Sequence, residues 1–429
     1  MNKWIGGLFY LLLGGLTVGI RGAEAQGIAA QGNDPAFSTL PPTLSADGAY
    51  LADLETGAEL FAKNADKKEF PASTTKIMTA LLAAEHGCLD EIVTISPKAA
   101  EVGEASIWLE AGEKVQLENL LAAALMKSAN DACVAIAEHI SGSEEAFVRR
   151  MNQRAWELGA RNTHFVNPHG LHDPNHYTTA RDLVTIARAA LRQPVIRRFC
   201  AQKEFLIPWA GHPWPRTIRN LNQLLWRYPG ADGVKTGKTQ QAGPCLVFSA
   251  SREGWQIVGA VLKAPRRWED SEFLLQYGFQ NFEPRRVIRR GMVLQAVPVV
   301  RGVVKQAKVV SDRDVTLVFQ RGQPDPAFQI FLPRILKAPL EAHTPLGHVW
   351  VRGYQCSGYA LLCLAHDLKA VWWAALADKA RLTLSPTGFP VALLLCWMIY
   401  GTFAKSYRQR RSGLATPRRR SRSGRPGMR

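Results

Sequence analysis

Residues 71–77 read PASTTKI and run directly into MTALLAAEHG at 78–87. Pro71 and Ser73 are helix-start residues, and Ile77, Leu81 and Ala84 then recur at helical spacing. On such a helix Ser73 and Lys76 stand one turn apart and share a face. Apolar neighbours make that face partly buried, and a buried lysine with no carboxylate partner is costly unless its charge is put to use. Two readings of the string are open at this point. Either Ser73 is an N-cap with Lys76 at the surface, or a hydroxyl and an amine are held together for chemistry.

The ends of the 429-residue chain limit what the core contains. Lys3 precedes an uncharged run at 4–20, and AEA at 23–25 fits a small-residue cleavage site. This predicts a signal peptide over 1–25, with an uncleaved signal anchor as the alternative. Residues 26–45, rich in Gly, Pro and Ser, read as a linker. A second uncharged run at 382–404 is 23 residues long and as a helix would extend about 34 Å. A transmembrane helix is expected over 386–404, its regular part beginning near Phe389 because Pro386 and Pro390 interrupt what precedes; a buried core helix is the alternative. Residues 405–429 hold ten Lys or Arg and no acid, which fits a cytoplasmic tail near anionic lipid. Ten of the formal +17 charges therefore sit in the tail, and the remainder is too mildly basic to call for a nucleic-acid partner. The body of the protein would lie on the extracellular face.

Between these ends, GAYLADLETGAELFAKNADKKEF (48–70) reads as two strands about a turn at Thr56–Gly57. Helical segments are predicted over 73–86, 117–140, 144–158 and 179–192, the last opening with Thr179 and Asp182 at capping-box spacing. CLVFSAS (245–251) and WQIVGAVLKA (255–264) are strand-like runs separated by an REG turn, and a helix over 268–278 closes the unit. Residues 281–365 change to short alternating strands and read as a small β-rich domain. HDLKAVWWAALADKA predicts an interfacial helix over 366–381 carrying Trp372 and Trp373. Seven scattered cysteines (88, 133, 200, 245, 356, 363, 396) contain no CxxC pair and read as buried free thiols. His164, His169, His172 and His176 lack helix-borne ligand spacing, so no metal is expected there. Trp108, Trp156, Trp209 and Trp214 read as core or rim residues.

Two more short strings complete the pattern. MKSANDACVAIAEHI (126–140) carries Ser128 and Asn130, and GVKTGKT (233–239) carries Lys235, Thr236, Gly237 and Lys238. Alone, the first is an ordinary helix cap and the second an ordinary turn. Together and in order they resemble the Ser-x-x-Lys, Ser-x-Asn, Lys-Thr-Gly signature of penicillin-binding proteins and serine β-lactamases. The wording of FPASTTKIMTALLAAE (70–85), LGARNTHFVNPHGLHDPNHYTTARDL (158–183) and RRWEDSEFLLQYGF (266–279) is similar to the D-alanyl-D-alanine carboxypeptidases, strongly over 46–280 and weakly through the β-rich domain.

That resemblance implies an α/β fold, an antiparallel sheet flanked by helices with a helical subdomain, acting on peptidoglycan stem pentapeptides without a cofactor and inhibited by β-lactams. It implies Ser73 as nucleophile, Lys76 as base with a pKa lowered by burial and by Lys235, and Ser128 as proton relay. Asn130 would donate to the substrate peptide, and Lys235 and Thr236 would bind its terminal carboxylate. Gly237 would allow close backbone approach, and the Ser73 and Lys238 N–H groups would form the oxyanion hole. Arg267 would recognise the same carboxylate. A β-lactamase would need a further carboxylate before the Lys-Thr-Gly strand, where only Glu204 and Asp232 stand besides Asp182. An endopeptidase cutting cross-links shares every motif, and a penicillin-binding membrane sensor is the non-catalytic alternative.

Overall fold

The computed structural model describes residues 43–374, 376, 397, 398 and 400. The expected signal peptide, nearly all of the linker and of the membrane span, and the basic tail lie outside the described residues. Among the described residues no helix is long and apolar enough to cross a membrane.

β1 (Gly48–Asp53) and β2 (Glu59–Lys63) form the hairpin expected about Thr56–Gly57. Its turn is fixed by Asp53, whose carboxylate accepts from the Thr56 N–H and hydroxyl and from Trp255 Nε1. A 3-10 turn over Ala72–Thr75 leads into α1 (Lys76–His86), buried through Ala83. The short strands β3 (Ile92–Thr94) and β4 (Lys114–Gln116) pair around α2 (Pro97–Glu101). Helices α3 (Leu117–Ala122), α4 (Asn130–Ser141), α5 (Glu144–Leu158), α6 (Ala180–Ala190) and α7 (Pro194–Ala201) follow. A hairpin of β5 (Glu204–Ile207) and β6 (Arg216–Arg219) and a single turn, α8 (Leu224–Arg227), precede β7 (Ala231–Thr239). β8 (Gly243–Arg252), β9 (Trp255–Leu262) and α9 (Arg267–Asn281) complete the unit.

The main sheet is antiparallel throughout, in the order β2-β1-β9-β8-β7. Both faces are buried, and the two-residue period of a strand divides its side chains between two cores. Leu51, Leu246, Phe248, Ile257 and Val261 pack under α9 with Leu274, Leu275 and Phe279. Tyr50, Ala52, Val247, Val258 and Ala260 face the other way, into the core built with α1, α4 and α6. The edge strand β7 abuts the Ala72–Thr75 turn, which brings two distant parts of the sequence together.

The helix expected over 117–140 is interrupted. A π turn over Ala123–Lys127 ends at Ser128, which takes a left-handed φ of 68°, and α4 starts afresh at Asn130. The apolar run is continuous across the break, so its periodicity carries no trace of it; the Asn130 N–H leaves the helix ladder to donate to the Ala105 carbonyl.

The β-rich region comprises β10 (Phe282–Ile288), β11 (Val293–Val300), β12 (Gln306–Ser311) and β13 (Val315–Gln320). It continues through β14 (Phe328–Phe331), β15 (Leu336–Lys337), β16 (Pro345–Arg352) and β17 (Ser357–Leu364). It has its own core, including Ile288, Val309, Val349 and Leu362. The interfacial helix expected from 366 does not begin there. Leu368 bridges Leu340 and Ala370 bridges Gly302, so the backbone is spent on sheet-like pairing and turns helical only at 372. The described cysteines are free; Cys133, Cys200, Cys245 and Cys363 are buried, whereas Cys88 is exposed, contrary to the expectation for the set. Cys396 lies outside the described residues.

Candidate active site

The opening ambiguity is resolved by where Ser73 and Lys76 point. Neither the 3-10 turn nor α1 has a side-chain cap, so Ser73 is not one. Lys76 has no exposed surface at all, so it is not a solvated lysine. The turn is held by Thr74 and Thr75, whose hydroxyls donate to the Pro71 and Ala72 carbonyls. Ala72, just before the nucleophile position, is forced to a φ of +49°.

Lys76 Nζ has three oxygen neighbours: Ser73 Oγ at 2.9 Å, Asn130 Oδ1 at 2.8 Å and the His169 carbonyl at 2.6 Å. The amide orientation of Asn130 is fixed, because its Nδ2 donates to the Gly103 carbonyl. Asn130 Oδ1 and His169 O can only accept. A neutral amine has two N–H donors and one lone pair, so two fixed acceptors leave the lone pair for the Ser73 hydroxyl proton. Burial favours that neutral form and brings the Lys76 pKa down to about 8. Asn130 thus uses its amide to orient the amine, accepting from Lys76 at Oδ1 and donating to the Gly103 carbonyl from Nδ2.

The Lys-Thr-Gly strand approaches from the other side. A Cβ at Gly237 would lie 2.9 Å from the Pro71 carbonyl and 3.1 Å from the Ser73 nitrogen, so glycine is needed for β7 to pack against the turn itself. Lys235 is buried, and its Nζ donates to the Thr236 carbonyl at 2.9 Å, leaving two donor positions for a ligand. Its pKa lies well below the ordinary lysine value, first because of burial and next because of the charge of Lys76. The repulsion expected to act on Lys76 is thus expressed at Lys235. Arg267, the first residue of α9, donates to the Gly237 carbonyl at 2.9 Å, which sets its guanidinium beside the strand. Thr236 is buried, Lys238 is exposed, and Ser128 is buried at the junction that precedes Asn130. Lys76 contacts both Ser73 and Asn130; Ser128 stands two positions before Asn130, Lys235 and Gly237 lie on the facing strand, and Arg267 reaches that strand from α9.

Sequence reasoning missed the support supplied by the loop at 162–178. Its four histidines are structural partners. His176 Nε2 lies 2.9 Å from the Thr75 hydroxyl, His169 supplies the carbonyl that anchors Lys76, and His172 packs edge-on to Phe70. Among the described residues, no group of three or more His, Cys, Asp or Glu could hold a metal ion. Thr179 caps α6 as its spacing predicts, but the Asp182 carboxylate turns to Asn162 and Thr163 and ties this loop down. Burial holds the pKa of His169 at about 3 and of His176 at about 4. Both are neutral when folded, so below their ordinary value of about 6.5 the unfolded chain binds more protons. Stability should fall as pH drops from about 6.5 to about 4, by about 1.4 kcal/mol per pH unit for each histidine. Urea titrations at pH 7 and pH 5 check this; equal midpoints would contradict it.

Gly170 is the other missed residue. At φ +88°, a Cβ there would sit 1.9 Å from the Ala72 carbonyl oxygen and 2.8 Å from Thr75 Oγ1. Gly170→Ala should cost about 2–5 kcal/mol, from left-handed strain together with overpacking against a fixed turn. Thermal melting reads the loss, and a variant as stable as wild type would contradict the contact.

Comparison with known proteins meets this geometry from outside. A family model described as D-alanyl-D-alanine carboxypeptidase matches residues 35–266. The chain is 34% identical to D-alanyl-D-alanine carboxypeptidase DacF of Bacillus subtilis, over 70% of this chain and 80% of the relative. It is 33% identical to D-alanyl-D-alanine carboxypeptidase DacA of Escherichia coli, over 72% and 79%. The crystal structure of penicillin binding protein 5 from Haemophilus influenzae superposes with a TM-score of 0.64 at 31% identity, covering 77% of this chain and 99% of that one. A likeness that extends through sequence, fold and most of the chain's length is inheritance rather than convergence on three short strings, and the chain belongs to the D-alanyl-D-alanine carboxypeptidase family.

Proposed function

We propose that Ser73 carries the serine carboxypeptidase activity of this family, acting on peptidoglycan stem pentapeptides through an acyl-enzyme. The observation that carries the proposal is the three-way environment of Lys76 Nζ, which leaves a lone pair facing the Ser73 hydroxyl. Ser73 Oγ attacks the carbonyl carbon of the penultimate D-alanine as its proton passes to Lys76. The backbone N–H groups of Ser73 and Lys238 receive the negative charge that develops on the carbonyl oxygen. The C–N bond breaks, Ser128 passes a proton to the departing D-alanine amine, and water then hydrolyses the ester.

The terminal carboxylate docks at Lys235, Thr236 and Arg267. Burial, and next the charge of Lys76, lower the Lys235 pKa well below the ordinary lysine value, and an arriving carboxylate, which favours the charged amine, offsets both. The carboxypeptidase reading is favoured over β-lactamase activity by the two spare carboxylates. Asp232 is engaged by Ser249, Ser251 and Gln256, and Glu204 lies exposed at the start of β5. The penicillin adduct should therefore be long-lived. The uncharged run at 382–404 followed by the basic tail supports attachment to the cell membrane with this unit on the extracellular face after removal of residues 1–25.

The test is release of D-alanine from a pentapeptide ending in D-Ala-D-Ala. One equivalent of D-alanine and a tetrapeptide are expected. Penicillin labelling without any release would favour a sensor, and cleavage confined to a cross-linked dimer would favour an endopeptidase.

A further inference from the structure

An aromatic cluster stands beside the cleft and has no part in the chemistry above. Trp108 and Trp214 are 68% and 58% exposed, on two different loops. The two loops are joined by Arg216, which is 5% exposed. Its guanidinium makes a bidentate pair with Glu113 at 2.6 and 2.8 Å, donates to the Trp108 carbonyl at 3.0 Å, and lies 4.5 Å from the Trp209 ring centre. The His212 ring lies against Trp209 at 3.9 Å, tilted by 36°, and reaches Trp214 at 5.8 Å. Arg216 thus fixes a run of ring faces rather than a set of independent side chains.

The segments that bear the platform are bonded to the residues around Ser128 and Asn130. The loop that bears Trp108 is tied to the Ser128–Asn130 side of the site: the Gly103 and Ala105 carbonyls accept from the Asn130 amide and backbone, and Asp131 accepts from the Ile107 and Leu109 N–H groups. The strand leaving β6 is tied there as well, by the Leu221 N–H to the Met126 carbonyl, two residues before Ser128. Trp108 itself takes a φ of +56°, a strained conformation for a bulky residue. It nevertheless presents its ring to solvent.

Electrostatics narrow the ligand. The single buried cation is neutralised by Glu113, so the platform offers ring faces and almost no net charge. That suits an uncharged ligand with polarised C–H groups, the edge-positive partner that a π face attracts, and does not suit a phosphate or an anionic lipid headgroup. A sugar ring has such a C–H face, and a peptidoglycan stem is bonded at its amino end to an N-acetylated sugar. We propose that Trp108, Trp209, His212 and Trp214 form a saccharide subsite that holds the glycan to which the stem peptide is attached. The proposal rests on the reading of the substrate given above and adds that the glycan-bearing form is preferred.

The full chain is assayed with two substrates sharing one stem: the free pentapeptide and the same pentapeptide on an N-acetylated disaccharide. Wild type should show the lower KM on the disaccharide form. Trp108→Ala with Trp214→Ala should raise that KM about five- to tenfold, leaving kcat on both substrates and KM on the free peptide unchanged within about twofold. Trp108→Phe with Trp214→Phe, which keeps both ring faces, should recover most of the loss. Equal KM values for wild type on the two forms, or an equal shift on both substrates in the alanine variant, would overturn the proposal. If the alanine variant does not fold, saturation-transfer NMR on wild type with the peptide-free disaccharide decides: transfer to the sugar C–H protons supports the subsite, and its absence overturns it. Failure of wild type to release D-alanine from the free pentapeptide would instead count against the catalytic reading.

Discussion

Ser73→Ala should abolish both D-alanine release and covalent labelling by penicillin, while the protein keeps its fold. The hydroxyl makes a single hydrogen bond, to Lys76, and is not used to cap α1, so its loss removes little support from the turn. The effect on rate should reach the limit of detection, because no other hydroxyl stands within bonding distance of the amine among the described residues. Mass spectrometry after benzylpenicillin treatment reads the labelling directly. An adduct retained in the alanine variant would place the nucleophile elsewhere.

Lys76→Ala should lower the acylation rate by about 10²–10⁴, the span that removal of a positioned general base produces. The variant should also lose stability. Its deletion leaves Asn130 Oδ1 and the His169 carbonyl buried without a donor, at about 1–3 kcal/mol each, unless water enters. The two effects are separable by temperature. Acylation falls at every temperature below the melting transition, whereas a purely structural role would leave the folded fraction at full speed. A folded variant acylating within about tenfold of wild type would remove Lys76 from the proton path.

Much of this was legible in the sequence, and for identifiable reasons. The β1–β2 hairpin follows from Thr56–Gly57 between alternating strands, and α1 and α5 from uninterrupted helical periods bounded by start and stop residues. What remained hidden depends on contacts between distant residues. The break at Ser128 is made by the Asn130 N–H leaving for Ala105, and nothing in the apolar period of 117–140 records it. The work of Asn130 is likewise set by Lys76 and Gly103, on opposite sides of its amide. His169 acts through its backbone carbonyl, which carries no side-chain signature at all. Gly170 had a local hint, a glycine in a loop rich in His and Pro, but the Ala72 oxygen that forbids any side chain there is 98 positions away. Residues 366–371 read as helix because their composition is helical, and pairing with the 301–303 and 340 backbone overrides it.

All of these contacts converge on one condition, that the amine of Lys76 is uncharged when the hydroxyl of Ser73 reacts. The acylation rate by benzylpenicillin, followed by rapid mixing from pH 6 to pH 10, measures that condition. The rate should fall about tenfold per pH unit on the acid side of a midpoint near the Lys76 value of about 8, and Lys76→Ala should erase the slope. A rate that keeps climbing about tenfold per pH unit through pH 8 and levels only near the ordinary lysine value of about 10.4 would show that burial has not lowered the pKa of the base, and would contradict the account.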